Sequence, residues 1–267
     1  MTAHPVVVRG KGECMGAIIA FANQKGGVGK TTSAVNTAAA LGKRNRKVLL
    51  VDLDPQGNAT SGVGIAKKSV KISTYDLLIG RAEPADAVLP TECKNLWIIP
   101  ATISLAGAES EFAQIEHREK CLKNALDKIR ENYHYIIIDC PPALSQLTVN
   151  ALTAANGVII PMQCEYYALE GLSQLTMSIK RVRELYNPAL EITGILLTMY
   201  NGRLVLSNQV VAELKKYYAE KLFKTAISRS VKVSEAPGFG KPICYYDPFG
   251  KGTEEYAALA KELIFRI

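Results

Sequence analysis

Ten residues, NQKGGVGKTT from Asn23 to Thr32, constrain this chain more than any other stretch. They follow the apolar run AIIAFAN (17–23) and lead into TTSAVNTAAALGKR, whose alanine-rich helical spacing predicts an α-helix. A strand, a glycine-rich turn and a helix N-terminus together make an anion hole. Backbone N–H groups converge on one point there, and the helix dipole adds partial positive charge. Gly26, Gly27 and Gly29 let the backbone approach phosphate oxygens without Cβ clashes and admit positive φ. On this reading Gly26, Gly27, Val28, Gly29, Lys30, Thr31 and Thr32 bind a nucleotide triphosphate. Lys30 would bridge its β- and γ-phosphates, and the Thr31 hydroxyl would ligate Mg²⁺. The match to G-x-x-x-x-G-K-S/T is nevertheless incomplete. Gln24 stands where the first glycine belongs, and a second lysine, Lys25, opens the loop.

The remaining pattern alternates strand and helix. Apolar runs at 47–54, 95–101, 135–142, 157–163 and 191–201 read as strands. Helical periodicity is read at 118–133, with Leu122, Ala125, Leu126 and Ile129 on one side, then at 207–223 and in the closing TEEYAALAKELIFRI. Strands separated by helices of this length predict parallel crossovers, hence an α/β doubly wound, mostly parallel sheet with helices on both faces. One domain is expected over 17–267. Residues 1–16 are read as an N-terminal arm outside the fold, with Met15 as an alternative start or the arm as a basic contact to a partner.

Composition narrows the class. The six cysteines are scattered without a C-x-x-C pair, and with three scattered histidines they predict reduced thiols and no zinc site. No apolar run approaches the roughly 18 residues that span a bilayer, and the N-terminus lacks the form of a secretory signal. A net charge of +7 is compatible with an anionic partner.

Two acidic motifs end predicted strands, VDLDPQGN and IIIDCPP. In an open parallel sheet, ligands bind beyond the carboxyl ends of the strands. Asp54 and Asp139 stand there, each followed by a residue or two of chain-turning proline context that exposes the carboxylate. Asp139 has the apolar-run-then-Asp form of a Walker B and would hold a Mg²⁺-bound water. Asp52 and Asp54 could both be metal-linked. Asp54 is nearer the loop and is assigned to orient the attacking water, whereas Asp52 reads as a buried structural carboxylate.

The combination KGGVGKTT, VDLDPQGNATSG, DCPPALSQLTVNAL, PMQCEYYALEGL, LLTMYNGR and VSEAPGFGKPI resembles the ParA/Soj family of chromosome- and plasmid-partitioning ATPases from about Ala17 onward. In that family the lost glycine belongs to a deviant Walker A. The resemblance implies a P-loop ATPase using ATP and Mg²⁺, with Lys25, Lys30 and Asp54 catalytic. Lys25 would reach across a nucleotide-sandwich homodimer, like an arginine finger supplied in trans. Asn201, Ser228 and Ser230 fall where the family binds adenine, although relatives usually carry Pro-Arg-Asn at 228–230. The guanine-reading N/T-K-x-D element is absent after the late strands, which favours ATP over GTP.

Arg203, Arg229 and Lys232 fall where the family binds DNA without sequence preference. The implied partners are a second copy, non-specific DNA and a ParB-like stimulator, in a cytoplasmic, nucleoid-associated setting. The alternative is a MinD-like membrane-positioning ATPase, for which the terminal KELIFRI would have to be an amphipathic anchor rather than a packed last turn. A redox or metabolic relative would need cysteines at the site, where only Cys140 stands.

Overall fold

The computed structural model describes residues 16–108, 111, 115–166 and 168–267. The expected arm, Met15 and Cys14 therefore lie outside the described residues, apart from Gly16. The apolar runs form β1 (Ala17–Phe21), β2 (Val48–Asp52), β4 (Leu96–Ile99), β5 (Tyr135–Asp139), β6 (Gly157–Met162) and β7 (Glu191–Leu197). A two-residue strand, β3 (Leu89–Pro90), completes a sheet of order β3-β4-β2-β5-β1-β6-β7. Every pairing is parallel except β3 with β4. The order reverses beside β1, so the turn that leaves β1 opens into the crevice where such sheets bind ligands.

Register fixes what meets there. Asp139 pairs in register with Phe21 on one side and with Asp52 on the other. The three strands β1, β5 and β2 thus end level, and the loop after β1 and both acidic motifs emerge along one edge.

Helices cover both faces. On one side α1 (Lys30–Lys43) buries Ala34, Ala38 and Leu41 against Ile19, Phe21 and Ile137. On the other, Ile18 and Ala20 face α3 (Cys121–Asp127), α4 (Gln146–Ala154) and α5 (Ala168–Leu185). The switch of face at each residue is the two-residue period of a strand, yet every residue of β1 is buried. The short α2 (Asn58–Gly62) follows β2, α6 (Val205–Tyr218) follows β7, and α7 (Val231–Glu235) precedes the closing α8 (Lys251–Arg266).

One expected helix changes. The helix expected over 118–133 is interrupted: α3 is flanked by 3₁₀ turns at Arg118–Lys120 and Arg130–Asn132. Ile129 leaves helical geometry at φ −125°, but it is buried with Leu122, Ala125 and Leu126. The closing helix α8 is packed as expected, with Leu259, Ala260 and Leu263 fully buried against α1, whereas Phe265 and Ile267 at its end are exposed. No helix among the described residues is long and apolar enough to cross a membrane. The five described cysteines are free thiols.

Candidate nucleotide site

The loop between β1 and α1 is tied down from several directions. Asn23 Nδ2 donates to the Pro161 carbonyl at 2.7 Å, and its Oδ1 accepts the Lys25 N–H at 3.0 Å. Gln163 Nε2 donates to the Gly27 carbonyl at 2.7 Å, and the Thr198 hydroxyl donates to the Val28 carbonyl at 2.7 Å. The carboxyl ends of β6 and β7 thereby hold the loop open and leave its N–H groups free to face a ligand.

Gly27 and Gly29 take φ of +73° and +80°. Gly26 does not take positive φ, which corrects that part of the expectation; a Cβ there would meet nothing within 4 Å. Gln24 also has ordinary φ, so the position where the usual pattern asks for glycine needs none here.

Lys30 is buried at the first turn of α1, and its Nζ donates to the Lys25 carbonyl at 3.0 Å. Burial lowers its pKa, while the charges of Asp139, Cys140 and Asp54 act to raise it. Lys25 itself points elsewhere. Its ammonium, 48% exposed, pairs with the half-exposed Glu165 carboxylate in the loop after β6. The two lysines of the loop therefore have separate environments, one inside the site and one at its rim.

The three aspartates also divide. Asp52 is fully buried and accepts from the Thr60 N–H at 2.8 Å, the Thr60 hydroxyl at 2.7 Å and the Asp54 N–H at 3.2 Å. It anchors α2, the structural role expected of it. Asp54 is nearly buried at the crevice, with Oδ1 accepting the Gln56 N–H at 2.9 Å. Asp139 is fully buried, and neither carboxylate oxygen has a hydrogen-bond partner among the described residues. Such an orphaned carboxylate beside the loop has the chemistry to receive a hydrated cation. Thr31 and Asp139, with Asp54 further along the edge, fit Mg²⁺. Among the described residues no group of three or more His, Cys, Asp or Glu gathers to hold a metal. A cation here would thus depend on phosphate oxygens as well.

Burial pushes Asp139 well above the ordinary carboxylate range, and the Asp52 charge adds to this; the nearby Thr31 hydroxyl and Lys30 oppose it. Burial likewise raises Asp52 to about 6, against the Thr60 and Asp54 hydrogen bonds. Both groups hold their protons to higher pH than in the unfolded chain. Their contribution to stability is complete below the ordinary value of 3.8 and is lost as pH rises, through about 6 for Asp52 and higher for Asp139. Asp139→Asn, with no charge to desolvate, is expected to raise the thermal midpoint of the nucleotide-free protein at about pH 8, by about 2–4 °C per kcal/mol relieved. The same change should abolish any further rise on adding Mg²⁺ to the nucleotide complex. Thermal melts across pH check both; a midpoint unchanged at every pH would remove the charge-burial account.

Behind the loop lies a cavity of about 260 Å³ lined by Gly29 and Thr32, by Thr198 and Met199, and by the segment 227–237 with Tyr256 of α8. Ser228 and Ser230 line it, and so does Arg229, expected on the DNA face. Met199 holds φ +49°, an uncommon left-handed value for a side-chain-bearing residue, at the cavity wall. Asn201 is not among the lining residues. Its Oδ1 accepts the Arg203 N–H at 3.0 Å, closing a local turn. Arg203 and Lys232 are exposed; Lys232 pairs with Glu235 at 3.3 Å. Sequence reasoning missed Gln163 and Glu165 as loop partners, and Glu255 behind Ser228.

A family model described as an AAA domain matches residues 16–192. The sporulation initiation inhibitor protein Soj of Bacillus subtilis (strain 168) is 55% identical over 249 residues, 93% of this chain and 98% of its own length. The chromosome partitioning protein ParA of Myxococcus xanthus (strain DK1622) is 49% identical over 261 residues, 96% of this chain and 92% of its own. Among solved structures, the cobyrinic acid a,c-diamide synthase of Mycobacterium smegmatis with bound ATP analog and magnesium has a TM-score of 0.81 at 37% identity. That likeness covers 92% of this chain and 93% of the other.

Proposed function

This chain belongs to the Soj/ParA family of partitioning ATPases, and on that premise we propose that it is an ATP-switched DNA-partitioning protein. It is an ATPase that works with ATP and Mg²⁺. On the proposed cycle, ATP occupancy assembles a homodimer, the dimer holds DNA without reading its sequence, and a ParB-like partner triggers hydrolysis. The setting is the nucleoid, and the cargo is a chromosome or a plasmid.

The observation that carries this reading is the separation of the two loop lysines. Lys30 lies buried in the site, whereas Lys25 stands at the rim on a surface ion pair with Glu165. A surface pair of this kind is worth about 0–1 kcal/mol, so Lys25 is easily redirected to a second subunit's phosphates. Val28, Gly29 and Thr32 sit between loop and cavity, where a triphosphate and base could be held together. Arg203 and Lys232, with Arg229 at the cavity margin, supply exposed cations for phosphate contacts. The MinD-like alternative is left with Phe265 and Ile267, exposed at the end of α8, because Leu263 is buried in the core; two side chains offer little apolar area to a bilayer.

Binding to unrelated duplexes with ATP, with ADP and without nucleotide, over a range of salt, tests the switch. Tight binding is expected with ATP alone, and log K should fall linearly with log salt. Arg203→Ala should flatten that slope by about 2, one phosphate contact from each subunit. Nucleotide-independent binding, or none with ATP at low salt, would overturn the switch.

A further inference from the structure

Segment 224–230 carries one wall of the cavity, and it is held by carboxylates from a helix far along the chain. Phe223 and Ile227 pair with β7 through N–H bonds to the Ile195 and Leu197 carbonyls at 3.0 and 2.8 Å. The Ser228 N–H turns away from that ladder. It donates to Glu255 Oε2 at 2.9 Å, and the Ser228 hydroxyl donates to Glu255 Oε1 at 2.8 Å. One carboxylate thus takes both donors of one residue, a charge-assisted two-point hold. Glu255 is largely shielded, at 15% exposure, with Lys251 3.6 Å from Oε1.

The position of this hold matters. Ser228, Arg229 and Ser230 line the cavity, and so does Tyr256, the residue after Glu255. Tyr256 is fully buried, with its hydroxyl 3.4 Å from Ser33 Oγ on α1. The Glu255–Ser228 hold therefore sets the spacing between two cavity walls. Seven residues on, Glu262 makes an analogous hold, accepting the Lys224 and Thr225 N–H groups at 2.9 and 3.0 Å. Neither Glu262 nor its two partners lines the cavity. The helix thus carries two similar clamps, of which only one abuts the cavity.

We propose that Glu255 is a positioning residue for the nucleotide base: through Ser228 it fixes the cavity wall against which the base lies. The proposal rests on the reading that this cavity takes the base of ATP. It predicts that losing the clamp weakens the part of affinity that comes from the nucleoside and leaves the part that comes from the phosphates.

The test compares a fluorescent ATP analogue with tripolyphosphate, both with Mg²⁺, on the full chain well below its thermal midpoint. Glu255→Val should weaken analogue binding about tenfold, the scale of one charge-assisted hydrogen bond, and Ser228→Ala by about threefold. The double variant should bind no more weakly than Glu255→Val alone, because both changes break one interaction. Tripolyphosphate affinity should stay constant throughout. Glu255→Gln, which keeps the side chain's shape and one acceptor, provides a milder variant with the same direction of change. Glu262→Gln should lower the thermal midpoint without shifting analogue affinity. Equal effects of Glu255→Gln and Glu262→Gln on binding, additive effects of Ser228→Ala and Glu255→Val, or parallel loss of tripolyphosphate binding would each overturn the positioning role. Were the unaltered protein to bind the analogue no better than tripolyphosphate, the base-cavity reading itself would fall, a result separable from a failure of Glu255 alone.

Discussion

Lys25→Ala is expected to lower partner-stimulated ATP hydrolysis by about 10³-fold or more, the range in which a trans-acting cationic finger works. Phosphoryl transfer leaves little covalent chemistry to the protein. Its work is to surround the charge spreading over the transferred group, and on the proposed reading Lys30 supplies the buried cation from within the same subunit. The variant isolates the hydrolytic contribution because of how Lys25 is used locally. Lys30 bonds to the Lys25 backbone carbonyl, which alanine retains. The side chain is half exposed and pairs with Glu165, so its loss should change stability by no more than about 1 kcal/mol. Single-subunit affinity for an ATP analogue should accordingly stay within about threefold of the original, a binding change too small to account for the rate. Phosphate release with ATP, Mg²⁺, DNA and the stimulating partner, beside an analogue titration on the same sample, checks both halves. An undiminished rate would refute the trans role, and a collapse of single-subunit binding would place Lys25 in the cis site instead.

The physical origin of each element decided how far it could be read in advance. β1, β2, β5 and β6 are buried on both faces, so each is a short unbroken apolar run and is legible locally. β3 is two residues long and includes a proline; it exists only because Leu89 and Pro90 lie beside Ile98 and Trp97. No local pattern encodes such a strand. Helix α5 does carry a signal, since Leu172, Leu175, Ile179 and Val182 recur at helical spacing and are all buried. No helix is read there from the sequence, where PMQCEYYALEGL enters only as part of the family resemblance.

Within the site, the glycine loop was legible as a candidate phosphate binder because it is contiguous, from Gly26 to Thr32. The buried, structural place of Asp52 was legible from strand depth, and its cause is that Thr60 donates twice to Oδ2 while the Asp54 N–H donates to Oδ1. The base side was not. Ser228 and Glu255 are 27 residues apart, and Gln163 reaches Gly27 across 136. Asn201 has a local partner, its Oδ1 accepting the Arg203 N–H two residues on.

Lys30→Met should weaken Mg²⁺–ATP binding about 30- to 5,000-fold, corresponding to about 2–5 kcal/mol for removing one partner of a desolvated charge pair. The ammonium is buried before any nucleotide arrives, fixed at 3.0 Å from the Lys25 carbonyl and opposed to Asp139 and Asp54. Its desolvation is therefore already met by the fold, and the phosphates encounter a cation that needs no rearrangement. Methionine keeps the unbranched stem and fills similar volume, so the first turn of α1 should remain packed. What disappears is the one buried cation facing the phosphates from this loop. A binding protein at ligand 100 times its Kd gains about 2.7 kcal/mol of stability. At the same ligand concentration the variant should lose from about two-thirds of that gain, at about 30-fold weaker binding, to nearly all of it at about 5,000-fold. Thermal midpoints with and without Mg²⁺–ATP read the loss directly, and an analogue titration gives its size. If the midpoint without nucleotide stays near the original and the nucleotide-induced rise shrinks accordingly, Lys30 acts on the ligand and not on the fold. A full rise retained by Lys30→Met would mean that the backbone amides alone hold the triphosphate, and the charge of Lys30 would need another explanation.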